Sequence, residues 1–308
     1  MAELRDILYK VSLVSASGDM TQDIKAVAFD SRKVEKNSLF VAVSGTQVDG
    51  HDYIQKAVES GATAIICEKL PEVIHENVTY VAVKNTAEAL GIVAANFYQN
   101  PASNLKLVGV TGTNGKTTIA TLLFTLYRKL GYSVGLLSTV ENKIDYEIIP
   151  SSHTTPDALQ LNKLLATMVE RGCEYCFMEV SSHALDQFRV AGVHFRGAIF
   201  SNISHDHLDY HKTFDAYLNA KKLLFDGLGS DAFALVNADD KRGRIMLQNT
   251  KAAKNTYALK TMADYKAKLV SNTLQGIELE VDNKNIWFRL IGDFNAYNLM
   301  AVYGTADL

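Results

Sequence analysis

GVTGTNGKTT, residues 109–118, comes directly after the apolar Leu105, Leu107 and Val108 and just before a helical pattern over 117–130 closed by Gly131. The strict phosphate loop G-x-x-x-x-G-K-[ST] is not matched, because Val110 stands in the place of its first glycine. What stands here is the shorter run Gly112, Thr113, Asn114, Gly115, Lys116, Thr117, followed by Thr118. A strand before and a helix after are what phosphate binding needs. Backbone N–H groups and the helix N-terminus face the anion, Lys116 neutralises charge, and the Thr117 hydroxyl reaches Mg²⁺. The competing reading is an ordinary strand–loop–helix turn with a solvated lysine. The loop predicts a bound nucleotide and leaves the reaction class open.

Outward from the loop, short apolar runs alternate with helical patterns, which is the signature of α/β architecture. AVAFD (26–30), SLFVAVSG (38–45), TAIICEK (63–69) and TYVAVK (79–84) read as strands, and 51–60 reads as a helix stopped by Gly61. A second helix over 86–98 puts Ala87, Leu90, Val93, Ala94 and Phe97 on one face, with Asn85 as its N-cap. YQNPASN then marks a domain boundary near 99–104, so residues 1–100 and 101–308 are expected to be separate domains. In the second, YSVGLLST, CFMEVSS, GAIFSNI and FALVN (233–237) read as strands. Helices are expected over 157–171, with Thr155 as N-cap and Pro156 first, and over 214–225. The stretch after 237 reads as irregular, up to a helix beginning in GDFNAYN.

Composition narrows the function classes. The 308 residues are 47% hydrophobic, enough for two cores, and Lys plus Arg number 31 against 34 Asp plus Glu, for a net charge of -3. Without a basic block, nucleic acid is not an expected partner. No apolar run approaches the ~20 residues of a membrane helix, and MAELRDILYK does not resemble a signal peptide. Cys67, Cys173 and Cys176 form no disulfide framework, and the Cys173/Cys176 pair has no second pair to complete a zinc site. A cytoplasmic monomer without membrane insertion is expected.

The chemistry lies downstream, in Thr154-Thr155, EVSSHAL (179–185), DHLDYH (206–211) and the Lys221-bearing helix FDAYLNAKKLLF. Glu179 ends a buried strand, so it emerges at the carboxyl edge of the sheet, where open α/β folds bind ligands. A solvated carboxylate at a loop start is the bland alternative. HDHLDYH crowds His205, Asp206, His207, Asp209 and His211 together, a density that in isolation suggests zinc. Lys221 and Lys222 cannot share a helix face, and Leu224, three residues on, makes Lys221 the inward candidate.

The shortened loop with these motifs resembles the Mur ligase family, and the resemblance runs over essentially the whole chain. Asp30-Ser31-Arg32 and SLFVAVSGTQVDGHDYI resemble that family's N-terminal domain. The fold implied is α/β: a small N-terminal α/β UDP-binding domain plus a central P-loop α/β ATPase domain with a mostly parallel sheet. The activity implied is ATP-dependent amide formation in peptidoglycan precursor synthesis. A carboxylate of UDP-N-acetylmuramoyl-dipeptide attacks the γ-phosphate, and an amino acid, meso-diaminopimelate or L-lysine, displaces phosphate from the acyl phosphate.

Residue by residue, the resemblance makes Lys116, Glu179, His207 and Lys221 catalytic, with Thr117, Glu179, His207 and Lys221 as the Mg²⁺ set. Lys221 is the lysine that CO₂ carbamylates, which turns a cation into a metal ligand. A neutral amine is required for that, and burial provides it. His205 and His211 are left as structural. Gly112 to Thr118 hold ATP, with Asn298, the second asparagine of GDFNAYN, near the adenine; Asn295 and Asn298 read otherwise as helix-start caps. Ser31, Gln47, Thr154, Thr155, Ser181, Gln187 and Arg189 match positions that hold the UDP-sugar, while Thr46 and His153 are left open. Arg189 suits an anion because a guanidinium pairs bidentately with phosphate or carboxylate. Full-length relatives carry a third domain after this helix; nothing here corresponds to it, and the chain is expected to be folded but inactive as a ligase. A related Mur or folylpolyglutamate-type ligase, a P-loop small-molecule kinase and a non-catalytic UDP-sugar-binding module are the alternatives.

Overall fold

The computed structural model describes every residue except Met1, Thr46, Gln47 and Ser152. It divides into two compact units. The first takes residues 1–101 together with 156–166 and 187–193; the second takes 102–155, 167–186 and 194–308.

The first unit is built on a five-stranded sheet in the order Leu13–Ser17, Thr79–Val83, Ala62–Cys67, Ser38–Val41, Ala26–Ala28. All neighbours are parallel except Leu13–Ser17, which runs antiparallel at one edge. The two-residue strand period decides its packing. Leu39, Val41, Ile66, Val81 and Val83 meet Leu90, Val93 and Ala94 of the helix Thr86–Phe97. Phe40, Ile65, Cys67 and Tyr80 face the opposite way, onto Ile54 and Ala57. Both faces are covered, which is why these strands read as unbroken apolar runs. The helix expected over 51–60 starts instead as a 3₁₀ turn, Gly50–Tyr53, that passes into an α-helix over Ile54–Glu59.

The second unit holds an eleven-stranded sheet among the described residues. From Val134–Leu137 the order continues through Tyr175–Glu179, Lys106–Thr111, Gly197–Phe200, Phe233–Asn237 and Ala253–Ala258 to Tyr265–Thr273, all parallel. Antiparallel strands extend both ends: Glu141–Ile144 with Glu147–Pro150, and Gly276–Val281 with Lys284–Phe288. The expected α/β fold with a mostly parallel sheet is present. The segment read as irregular is this second antiparallel meander, closed by Asp282-Asn283 with both φ positive, 49° and 61°. That is the turn type that suits the twist of paired strands.

Lys106–Thr111 sits between the strands Tyr175–Glu179 and Gly197–Phe200, which lie on opposite sides of it. The chain reverses its direction across the sheet there, opening a crevice at the carboxyl ends of these three strands. The helix Lys116–Lys129 starts over that crevice and buries Ile119, Ala120, Leu123 and Phe124 against the sheet.

Two local expectations need correction. Thr155 does not cap the helix Ala158–Glu170; the Asp157 carboxylate accepts from Gln160 N at 2.9 Å and does so instead. Asn295 and Asn298 are not helix-start caps, because Asp293–Asp307 begins after Gly292 and buries both. Cys67, Cys173 and Cys176 are buried free thiols. Among the described residues no helix is long and apolar enough to cross a membrane.

Asn85 Oδ1 accepts from Glu88 N at 3.0 Å, as the sequence predicts. Asn85→Ala should therefore cost about 1 kcal/mol, the typical value of an N-cap. Denaturant unfolding checks this; an unchanged midpoint would show that the cap contributes nothing.

Candidate functional site

The crevice of the second unit is organised around one carbonyl. Gly112, at φ +149°, turns its C=O so that Lys116 Nζ donates to it at 3.0 Å and Lys221 Nζ at 2.9 Å. Lys116 also donates to the Thr113 carbonyl at 2.9 Å. Only glycine fits at 112, since a Cβ there would lie 2.0 Å from Ser201 Oγ. The loop is then clamped from below by the segment after Gly197–Phe200. Asn202 O accepts from Thr113 N at 2.8 Å, and its side-chain Oδ1 accepts from Asn114 N at 3.1 Å. Ser201 Oγ and Asn202 Nδ2 both donate to the Asn114 carbonyl, at 2.6 and 3.0 Å. Gly115, at φ +90°, leads into the helix without any side-chain cap, so the helix N-terminus with Thr117 and Thr118 opens toward whatever the loop holds.

Lys221 is almost fully buried on the helix Phe214–Asp226, which Thr213 caps by accepting from Ala216 N. Its ammonium lies 4.5 Å from the Tyr217 ring centre, and the Tyr217 hydroxyl bonds the Thr113 hydroxyl at 3.0 Å. Burial pushes the Lys221 amine from its ordinary 10.5 down to about 7; the Lys116 charge adds to this, and the Asp206 carboxylate opposes it. Burial lowers Lys116 too, against the pull of Glu179 and Asp206. Lys222 is buried as well, a departure from the expected one-lysine face. It is held by Asp226, 2.7 Å from Nζ, and points away from this chemistry.

Glu179 ends its strand 1% exposed, so the solvated-carboxylate alternative fails. It accepts from Thr139 N at 2.8 Å and from the Thr139 hydroxyl at 3.1 Å. The Thr154 hydroxyl lies 3.1 Å from that of Thr139. Thr155 donates to the Glu179 carbonyl at 2.9 Å and accepts from Ser181 N at 3.1 Å. Thr154, Thr155, Glu179 and Ser181 are thus one cluster. His207 is half-exposed with φ +53°, its ring edge-on to His183 at 4.9 Å, and Nε2 lies 3.5 Å from Asp206. His211 is buried against the Ser182 hydroxyl at 3.0 Å, and His205 is exposed beside Phe214. Among the described residues no group of three or more His, Cys, Asp and Glu side chains is close enough to hold an ion.

Beside the loop lies a cavity of about 650 Å³. Asn114, Gly115 and Thr118 line one side, and Phe294, Tyr297 and Asn298 another. A Cβ at Gly115 would come within 2.5 Å of Asn298 Oδ1. The Tyr297 hydroxyl donates to Asp239 at 3.0 Å. Asp239 also accepts from the backbone N–H groups of Leu259, Lys260 and Thr261 at 2.8–2.9 Å, which holds its carboxyl well below the usual range despite partial burial. Sequence reading missed Asn202, Tyr217 and Asp239.

In the first unit, Ser31 is buried at the start of a 3₁₀ turn capped by Asp30. It lines a cavity of about 530 Å³ whose walls include Phe29, Phe40, Val48 and Tyr53. Gln187 and Arg189 also belong to this unit, and the Gln187 carbonyl oxygen accepts from Arg189 at 2.6 and 3.0 Å. Gln47 and Thr46 lie outside the described residues.

Residues 110–306 match the model of the Mur ligase middle domain, and residues 23–98 that of the Mur ligase family catalytic domain. The chain belongs to the Mur ligase family. Ligases of this family use ATP and Mg²⁺. The UDP-N-acetylmuramoyl-L-alanyl-D-glutamate--2,6-diaminopimelate ligase of Cytophaga hutchinsonii is 61% identical over 307 residues, which are 99% of this chain and 63% of that protein. The ligase of the same name from Phocaeicola vulgatus is 53% identical, again over 99% and 63%. A solved structure of such a ligase superposes with a TM-score of 0.83 at 28% identity, covering 99% of this chain and 63% of that one. MurF from Acinetobacter baumannii shares the fold, with a TM-score of 0.66 at 18% identity, over 99% of this chain and 64% of that one. The chain thus spans 63% of the length of the curated relatives it matches.

The buried Lys221 amine predicts a pH signature. The unfolded chain holds that proton up to about pH 10.5 and the folded chain only up to about 7. Between those values the unfolded state binds more protons, so folded stability rises with pH. Lys221→Met, freed of the buried charge, should be the more stable protein at pH 6. The gap should then narrow by at most about 1.4 kcal/mol per unit from pH 7 upward. Parallel stability curves for the two proteins would contradict the burial of a titrating amine.

Proposed function

We propose that this chain carries the UDP-substrate and ATP platforms of a cytoplasmic ligase that adds 2,6-diaminopimelate to UDP-N-acetylmuramoyl-L-alanyl-D-glutamate. The observation that carries the reading is the pair of lysines on the Gly112 carbonyl, Lys221 buried and Lys116 partly buried, beside a cavity of nucleotide size. The names of the relatives supply the substrate and the amino acid.

Two ammonium groups share one neutral acceptor, so the crevice favours an anion that replaces that acceptor. The terminal phosphates of ATP supply one, with the base in the cavity between Gly115 and Tyr297 and with Asn298 beside it. Phosphoryl transfer is then a problem of positioning and of charge on the moving oxygens. The substrate carboxylate oxygen attacks the γ-phosphorus and ADP leaves. The amine of the incoming amino acid attacks the acyl carbon, phosphate leaves, and the amine's proton goes to solvent or base. Lys116 holds charge on the transferred group throughout.

Thr117, Glu179 and His207 would hold Mg²⁺, joined by Lys221 once it is carbamylated. As an amine, Lys221 repels a cation; as a carbamate it offers the oxygen donors that a hard ion prefers. The amine needed for the step is neutral for half the molecules near pH 7. Its lone pair attacks CO₂, an N–C bond forms, and one proton is lost to solvent. When bound, Mg²⁺ neutralises the phosphate charge that would otherwise repel the carboxylate. In the first unit, the cavity at Ser31 is offered to the uridine. Gln187, by holding the Arg189 guanidinium flat, prepares it for a carboxylate or phosphate. Thr154, Thr155 and Ser181 present hydroxyls beside Glu179 to the muramoyl portion.

Calorimetric binding tests the substrate. The chain should bind UDP-N-acetylmuramoyl-L-alanyl-D-glutamate in preference to UDP-N-acetylglucosamine, and Arg189→Ala should lose at least about tenfold, the worth of one charge-assisted pair. Equal binding of the two nucleotides, or an unaffected Arg189 variant, would sink the assignment. ¹³CO₂ should in addition give a carbamate resonance that Lys221→Met abolishes.

A further inference from the structure

We infer that His51 is a positioning residue that pins one wall of the Ser31 cavity to the sheet, and that it does so as the neutral tautomer with its proton on Nδ1. The inference rests on the reading of that cavity as the uridine site.

The wall is formed by Val43, Gly45, Val48 and Gly50. Gly50 N donates to Val43 O, Gly45 N donates to Val48 O, each at 2.9 Å, and Ser44 pairs with Asp49 across the turn. Little apolar burial holds this turn, since Gly45 is exposed and Val48 is 55% exposed. Its anchor is polar. Asp49 Oδ1 accepts from His51 N at 3.0 Å and from Ser44 Oγ at 3.1 Å, and His51 Nδ1 lies 2.7 Å from the same oxygen. The far side of the ring reaches the sheet, where Glu68, the residue after the strand Ala62–Cys67, donates its backbone N–H to Nε2 at 2.8 Å.

That last bond decides the tautomer. A peptide N–H can only donate, so Nε2 must carry a lone pair, and the ring proton of a neutral imidazole is left on Nδ1, directed at Asp49. The charged groups facing the ring agree. Asp49 accepts from Nδ1–H, while the Glu68 carboxylate is turned away onto the N–H and hydroxyl of Thr86, both at 3.0 Å. A second ring proton would put N–H against N–H at Glu68 and open that end of the bridge. The ring itself is 16% exposed.

UDP binding measured by calorimetry, with ligand-free NMR beside it, tests this role. His51→Ala removes both ends of the bridge and should weaken UDP by about tenfold, the worth of one to two hydrogen bonds. His51→Gln keeps an oxygen that can accept from Glu68 N–H, and it should restore most of the lost affinity. Circular-dichroism melting distinguishes a loosened wall from an unfolded protein. Long-range ¹H–¹⁵N spectra of the wild type should show Nδ1 protonated and Nε2 bare. Wild-type affinity in His51→Ala, or a proton on Nε2, would overturn the inference. Failure of the wild type to bind UDP would overturn the uridine reading instead, and the tautomer then still decides whether His51 pins the turn.

Discussion

Two ammonium groups on one peptide carbonyl set the terms for the rest of the second unit. Lys116 approaches Gly112 O from the first turn of its own helix, and Lys221 approaches it from a helix more than a hundred positions later in the chain. Like charges this close are costly in a buried place, and the proteins that accept the cost keep it where an anion is due. The surroundings are built to sustain the arrangement. Gly112 has no Cβ to collide with Ser201, the Tyr217 ring shields Lys221, and the Tyr217 hydroxyl ties the same helix to Thr113. Asn202 consumes the Thr113 and Asn114 N–H groups and so fixes the loop before any ligand arrives.

Sheet order puts the remaining parts within reach. The first strand of the unit lies between its fifth and sixth, so Glu179 and Ser201-Asn202 emerge on either side of the glycine loop. The loops after Phe233–Asn237 and Ala253–Ala258 serve Tyr297. Asp239, saturated by the N–H groups of Leu259, Lys260 and Thr261, gives the Tyr297 hydroxyl a fixed acceptor and so holds that ring at the cavity wall.

The parts legible in the sequence are those with a local signature. Alternating apolar runs and helical periods gave away the α/β class, and the glycine loop followed by Lys-Thr marked the crevice. The inward face of Lys221 followed from its spacing to Leu224. Other parts were hidden because their evidence is not local. Asn202 and Asp239 act by accepting or donating to backbone far away in sequence, and neither has a distinctive neighbour pattern. The strand Gly276–Val281 alternates, as Ile277, Leu279 and Val281 show, but Lys284–Phe288 is largely exposed, Ile286 and Trp287 included, and the turn between them, Asp282-Asn283, contains no glycine. Thr155 looked like a cap because it precedes Pro156. Its hydroxyl is drawn instead to the end of the Glu179 strand, and Asp157 takes the helix.

The most direct test of the account is an NMR titration of the Lys221 side chain in CO₂-free buffer, with and without pyrophosphate. The two-lysine arrangement predicts an amine that titrates near 7 in the free protein and moves upward when the anion binds. An amine that titrates near 10.5 and ignores pyrophosphate would show that Lys221 is solvated and that the crevice has no unmet demand for negative charge.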